Sequence, residues 1–231
     1  MTKKVVVISL GGSLIIPDKV NTNFLDRFKR TLLRNKEKYK FVVVCGGGST
    51  ARNYINGLPY MKDAKKKEVF QDLLGITSTR LNARFMTYFF GEDANDGIPH
   101  DMEQVKNLLM KHDIVFCGAL RYAKDETSDS TASKLARFFN TDFINLTNVK
   151  GLYDKDPNKN KNARFIHEMS HKEFYEITKK IKFVPGQHFV LDQNAAKTIK
   201  KYNITAYILG PDLKNLENLL NGRHFIGTII G

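Results

Sequence analysis

The sequence predicts an α/β fold around a mainly parallel sheet. Five short apolar runs recur along the chain, patterns with a helical repeat lie between them, and glycine or a turn residue follows each run. The runs are Val5 to Leu10, Phe41 to Cys45, Ile114 to Cys117, Phe143 to Leu146 and Ile204 to Leu209. They read as buried parallel strands, covered on both faces. In such a sheet the loops at the carboxyl ends of the strands form the crevice where ligands bind.

Taken in order, the first run ends in Gly11-Gly12-Ser13, and Phe24, Leu25, Phe28 and Leu32 then mark a helix. The second run leads through Gly46-Gly47-Gly48-Ser49-Thr50-Ala51-Arg52 into another helix. Leu73, Leu74, Leu81 and Phe85 predict a helix with that face on the core, interrupted by the polar Asp72, Thr79, Arg80 and Asn82. After the third run comes the loop from Ala119 to Glu126, then a helix through Ala132, Leu135, Ala136 and Phe139. Lys155 to Ala163 reads as a polar, hairpin-like excursion turning at Asp156-Pro157. Val184 to Asp192 precedes a helix through Ala195 and Ala196, where an aspartate near the helix start organises the fold. One domain is expected over residues 1–231, dividing near residue 140 into an acceptor-binding half and a nucleotide-binding half over 141–231.

Composition narrows the chemistry. An apolar content of 42% in 231 residues supports one continuous core. The apolar run at the N-terminus is too short for a membrane span or a signal sequence, so a soluble, unprocessed cytoplasmic protein is expected. Cys45 and Cys117 each close an apolar run, the setting of buried thiols rather than of a disulfide or a metal site. No His-x-x-x-His pair and no Gly-x-Ser-x-Gly elbow occurs, which argues against zinc hydrolases and triad esterases. The net charge of +13 suits polyanionic substrates such as nucleotides. Its lysines are scattered without interleaved aromatics, so nucleic acid is not the expected partner.

The two glycine loops carry the sharpest functional signal. Glycines let the main chain approach a phosphate, and the amides of a following helix start point at it with the positive end of the dipole. Two such loops suggest two phosphate clusters, a donor and an acceptor meeting for phosphoryl transfer. Neither is a Walker A loop nor a dinucleotide fingerprint. Arg52, one turn into its helix, is placed to grip a phosphate. Asp72 is placed to accept ribose hydroxyls, with Gly75 letting another element come close and Thr79 and Arg80 beside a sugar and base pocket.

Ile8 to Ser13, Gly46 to Ile55 and Asp72 to Ala83 together resemble the archaeal-type UMP kinases of the amino-acid-kinase superfamily. Thr147-Asn148-Val149-Lys150-Gly151-Leu152-Tyr153-Asp154-Lys155-Asp156-Pro157 is similar to that superfamily's nucleotide segment, and Gly227-Thr228-Ile229 to its C-terminal ending. The resemblance implies an open αβα sandwich that transfers the ATP γ-phosphate to UMP with Mg²⁺, giving UDP for pyrimidine nucleotide synthesis, usually as a homo-hexamer. By the same resemblance Ser9, Gly11, Gly12, Ser13, Gly48 and Arg52 would serve the ATP phosphates, and Thr147, Asn148, Tyr153 and Asp156 the adenosine. Gly47, Asp72, Gly75, Thr79 and Arg80 would hold UMP together with Thr127 and Ser128, while Asp129 would orient the reacting groups.

Three departures qualify the pattern. Ser9 stands where bacterial relatives carry a lysine, Lys150 where the family usually has aspartate, and Leu120 to Glu126 replaces a shorter acceptor loop. Lys150 is expected to supply the missing positive charge, which makes it a candidate catalytic residue beside Asp129 and Arg52. Arg121, Tyr122 and Lys124 make the altered loop either a lid or a surface segment. A related kinase with another small acceptor, or a catalytically weak nucleotide-binding protein, stand as the alternatives.

Overall fold

The computed structural model describes residues 3–122, 127–155, 160–180 and 191–231. Its elements are β1 (Lys4–Leu10), α1 (Gly12–Ile15), α2 (Thr22–Asn35), β2 (Tyr39–Cys45), α3 (Gly48–Asn56), α4 (Ala64–Phe90), α5 (Met102–Lys111) and β3 (Ile114–Cys117). There follow α6 (Ser128–Phe139), β4 (Phe143–Leu146), β5 (Leu152–Tyr153), β6 (Phe165–Ile166), β7 (Glu168–Met169) and α7 (His171–Thr178). The chain ends with α8 (Gln193–Tyr202), β8 (Ala206–Leu209), α9 (Leu213–Leu220) and β9 (Gly227–Ile230).

Seven strands form one sheet in the order β3-β2-β1-β4-β8-β9-β7. The five runs anticipated as strands all lie in it and pair in parallel, the last beginning at Ala206 rather than Ile204. Two further strands carry no long apolar run: β9, antiparallel to β8, and the two-residue β7 beside it. Alternate strand residues feed two cores. Ile8, Leu10, Val43, Phe116 and Leu146 pack with α2, α4 and α9, whereas Val7, Val44, Val115, Phe143 and Ile208 pack with α5, α6 and α8. The result is the three-layer αβα sandwich, and burial on both faces explains why these strands read as continuous apolar runs.

From β1 the chain moves outward to β2 and β3, and from β4 it moves the other way to β8. The order therefore reverses between β1 and β4, and the crevice for a ligand opens at their carboxyl ends.

Helix α4 corrects the sequence reading. Leu73 and Leu81 are 45% and 55% exposed, and the buried face is instead Ile76, Thr79, Ala83, Met86 and Phe90 with Ser78 and Asn82. The inward face has helical spacing but is polar in its middle, because there it meets loop backbone rather than side chains of the sheet. The polar excursion after β4 does fold as a hairpin, β5 pairing antiparallel with β6, although its expected turn at Asp156-Pro157 lies outside the described residues.

Candidate active site

The floor of the crevice is backbone. Gly11 donates to the Leu146 carbonyl at 2.9 Å, and Gly46 to the Leu10 carbonyl at 2.9 Å, which ties the ends of β1, β2 and β4 together. A Cβ on Gly12 would stand 2.0 Å from the Gly48 nitrogen, and one on Gly46 would stand 2.4 Å from the Gly12 nitrogen. The loops expected to form two phosphate clusters are thus pressed main chain to main chain into one continuous surface, a contact only glycine permits. Gly48 also adopts φ +62°, and Ser49 donates to the Ile16 carbonyl at 3.0 Å. Arg52 donates through Nη2 to the Pro17 carbonyl at 3.1 Å, so its guanidinium is tethered at the edge of this floor.

Helix α4 fixes two of the loops. Asn82 Nδ2 donates to the Gly46 and Gly47 carbonyls at 2.7 and 3.0 Å. The buried Thr79 hydroxyl accepts from the Ala119 amide at 3.0 Å and donates to the Ile76 carbonyl. Arg80 donates from Nε and Nη2 to the Ala119 and Leu120 carbonyls at 2.9 and 2.6 Å. Thr79 and Arg80 therefore hold the start of the loop after β3. Gly118 lies directly against them, since a Cβ there would be 2.6 Å from the Arg80 nitrogen. Asp72 is partly exposed two turns earlier on the same helix face as Thr79. Gly75 differs from expectation: nothing stands closer than Ile55 Cδ1 at 4.0 Å, so no close approach requires it.

The sequence reading grouped Asn82 with the polar residues of a sugar and base pocket, whereas the structure turns it to the loop backbone. Its loss is calculable. Asn82→Ala takes the donor from the Gly46 carbonyl and leaves the Gly47 carbonyl only the Ala51 amide at 3.3 Å, and we expect it to cost about 1–3 kcal/mol in chemical denaturation while weakening phosphate binding more than it lowers turnover.

The start of α6 overhangs the crevice. Thr127 is its N-cap, accepting from the Asp129 amide at 3.1 Å, and Ser128 is its first, partly exposed residue. Ser9 on β1 donates its hydroxyl to Asp129 Oδ1 at 2.5 Å. The register puts Asn145, also buried, directly across from Ser9 on β4. A single polar residue in each of two adjoining apolar runs thus marks the switch point, a signal the sequence reading did not use: Ser9 was singled out only by the resemblance, and Asn145 not at all.

Asp129 keeps some contact with the crevice, but its carboxyl is deeply enclosed by the chain. Burial first, and then the negative charge of Asp192, push it up to about 7, while the Ser9 hydrogen bond acts in the opposite direction. Asp192 is the N-cap of α8, accepting from the Ala195 amide at 2.7 Å. Burial pushes the Cys117 thiol up to about 12 and that of Cys45 well above its ordinary value, so neither is a thiolate nucleophile at neutral pH.

On the far side of β1, Thr147 donates its amide to the Leu209 carbonyl at 2.9 Å, and Asn148 and Lys150 are exposed at the end of β4. Thr228 of β9 closes this wall by accepting from the Leu152 amide at 2.8 Å and donating to the Ile166 carbonyl. Tyr153 stands edge-on to Phe165 with ring centroids 5.2 Å apart. Asp156, Lys124 and the stretch from Val184 to Val190 lie outside the described residues.

The family model described as "Amino acid kinase family" matches residues 4–210, which include both glycine loops, α6 and the end of β4. The chain belongs to the amino acid kinase family. Within that family it is 33% identical to a uridylate kinase of Thermoplasma volcanium, over 97% of this chain and 96% of the relative. It is 31% identical to one of Thermococcus gammatolerans, over 97% and 98%. The crystal structure of uridylate kinase from Archaeoglobus fulgidus superimposes with a TM-score of 0.81 at 31% identity, covering 99% of this chain and all of the other. UMP kinase from Bacillus anthracis shares the fold, with a TM-score of 0.76 at 19% identity. In this family member the α6 aspartate, Asp129, is supported by a serine, Ser9.

Proposed function

We propose that the chain is an ATP-dependent kinase that phosphorylates UMP to UDP. The observation that supports this most is the single backbone floor made by the two glycine loops beneath the start of α6, in a chain alike over nearly its whole length to uridylate kinases. A UMP phosphate oxygen attacks the γ-phosphorus of ATP, the new O–P bond forms, and the bond to the β-phosphate oxygen breaks to release ADP. The attacking oxygen is already anionic near neutral pH, so the protein's task is positioning and charge stabilisation rather than proton removal.

The amides of Gly12, Ser13, Gly47 and Gly48 line the path of the transferring phosphoryl group, those of Gly11 and Ser49 being spent on the Leu146 and Ile16 carbonyls, with Arg52 at its edge. Thr147, Asn148 and Tyr153 form the nucleotide side, and Asp72, Thr127 and Ser128 the acceptor side, with Thr79 and Arg80 shaping the acceptor loop. The sheet order supports that division, because β1 to β3 lie on one side of the switch point and β4, β8 and β9 on the other. Among the described residues no cluster of three or more His, Cys, Asp or Glu side chains forms a metal cage. A crevice without such a cage suits Mg²⁺ carried mainly by the nucleotide phosphates. The ion would supply charge neutralisation at the γ-phosphate.

Lys150 is the charge we assign to compensate for Ser9. Lys150→Ala is expected to lower kcat at least about tenfold with folding unchanged; unaltered kinetics would make it a solvated surface lysine. Self-association is expected through α4, where Val69, Phe70, Leu73, Leu81 and Tyr88 stand exposed. Leu81→Glu is then expected to shift the sedimentation profile toward the monomer. No helix among the described residues is long and apolar enough to cross a membrane.

The deciding experiment is ADP release with ATP and Mg²⁺ across UMP, CMP, dUMP and non-nucleotide phosphates. UMP is expected to lead; turnover only with another acceptor would move the assignment to a sister activity.

A further inference from the structure

An N-cap aspartate needs one hydrogen bond, to an amide in the first turn of its own helix. Asp192 has that bond, to Ala195, but its carboxylate also accepts three from α6. The Thr127 hydroxyl donates to Oδ2, the Ser130 amide to Oδ2 at 3.1 Å and the Ser130 hydroxyl to Oδ1 at 2.7 Å. One side chain thus caps two helices, and Thr127 passes the constraint on by accepting from the Asp129 amide. The sequence reading gave Asp192 only the helix that follows it. Ser130 is fully buried, so these bonds are shielded from competing water.

We infer that Asp192 is a positioning residue for phosphoryl transfer: by locking the first turn of α6 onto α8, it fixes where Ser128 and Asp129 stand over the glycine loops. The inference rests on the kinase reading of this site and deepens it. A plain cap would stabilise the fold and nothing more. Here the locked turn carries Asp129, whose other partner is Ser9 on β1, so the aspartate is held between a strand and a cross-helix clamp. Among the described residues the charged group that acts on Asp129 is Asp192 itself, from α8, and β1 adds only the Ser9 hydroxyl. Loosening the clamp therefore changes both the place and the titration of Asp129, whereas loss of a mere cap changes neither.

The test compares the full-length wild type with Asp192→Asn and Ser130→Ala. The first removes the charge while keeping the shape; the second cuts part of the α6 branch and leaves the α8 cap intact. We would measure kcat, KM for UMP and ATP, the pH dependence of kcat, and Tm. Asp192→Asn is expected to lower kcat at least about tenfold with smaller changes in KM, and to move the limb of kcat near neutral pH to lower pH. Ser130→Ala is expected to lower kcat several-fold while folding normally, which keeps the inference testable if Asp192→Asn does not fold. Wild-type kcat and an unmoved limb in the folded variants, with only Tm reduced, would make Asp192 a structural cap and overturn the inference alone. Absence of UMP-dependent ADP release in the wild type would overturn the kinase reading and this inference together.

Discussion

Gly12→Ala is expected to abolish detectable turnover and to destabilise the protein. Its new methyl group would meet the Gly48 nitrogen at 2.0 Å, the Gly48 Cα at 2.6 Å and the Gly46 carbonyl carbon at 2.7 Å, all of them backbone. No rotamer change relieves such a contact, so the two loops have to part by about 1 Å or more. Misplacement of that size costs about a hundredfold in rate where catalysis is positioning, and here both phosphate-binding loops move at once. Overpacking adds about 1–3 kcal/mol of lost stability or more. The comparison with Gly75→Ala is informative. A methyl group on Gly75 of α4 would meet only Ile55 Cδ1, at 4.0 Å in ordinary contact, so alanine there is expected to raise stability by up to about 1 kcal/mol, chiefly through helix propensity. Urea unfolding of the two variants side by side separates a glycine required by contact from one that is not.

Asp129→Asn is expected to stabilise the fold at neutral and alkaline pH while depressing catalysis. The carboxyl is pushed up to about 7 from an unfolded value of 3.8, so the folded state favours its protonated form. Between those values the folded chain holds a proton that the unfolded chain has released. Stability from this group is complete below about pH 4 and is lost as pH rises through about 7. At pH 8 the wild type carries a penalty on the order of 2–4 kcal/mol that the amide does not. The Tm advantage of Asp129→Asn should therefore grow from pH 5 to pH 8. Turnover should behave oppositely. The wild-type rate is expected to rise through about pH 7 as Asp129 ionises, a limb that Asp129→Asn lacks, although the titration of UMP itself persists in both. A Tm difference independent of pH would refute this account of the aspartate.

Much of the architecture was legible because burial on both faces leaves an unmistakable trace: uninterrupted runs such as Phe-Val-Val-Val-Cys at Phe41 to Cys45. The strand β7 escaped because Glu168–Met169 is only two residues at the sheet edge, and β9 because its four largely buried residues begin with Gly227-Thr228 and leave only Ile229-Ile230 as an apolar signal. The α4 face was misjudged for a physical reason. Loop backbone asks for hydrogen-bond donors and acceptors, so Thr79 and Asn82 turned inward and Leu73 and Leu81 outward. In the site, the glycines could be found from local sequence, and the Thr127-Ser128-Asp129 turn through its resemblance to the family's motif. The Ser9–Asp129 bond and the double role of Asp192 could not, since they join residues 120 and 62–65 positions apart.

The central claim is that both glycine loops and the α6 turn form one phosphoryl-transfer site. Its most direct test is hydrogen–deuterium exchange with a bisubstrate analogue, uridine and adenosine joined through five phosphates, in the presence of Mg²⁺. We expect one analogue per chain, bound more tightly than UMP or ATP alone, with joint protection of Gly11 to Ser13, Gly46 to Ser49 and Thr127 to Asp129. Protection of one loop without the other, or of neither, would contradict the account.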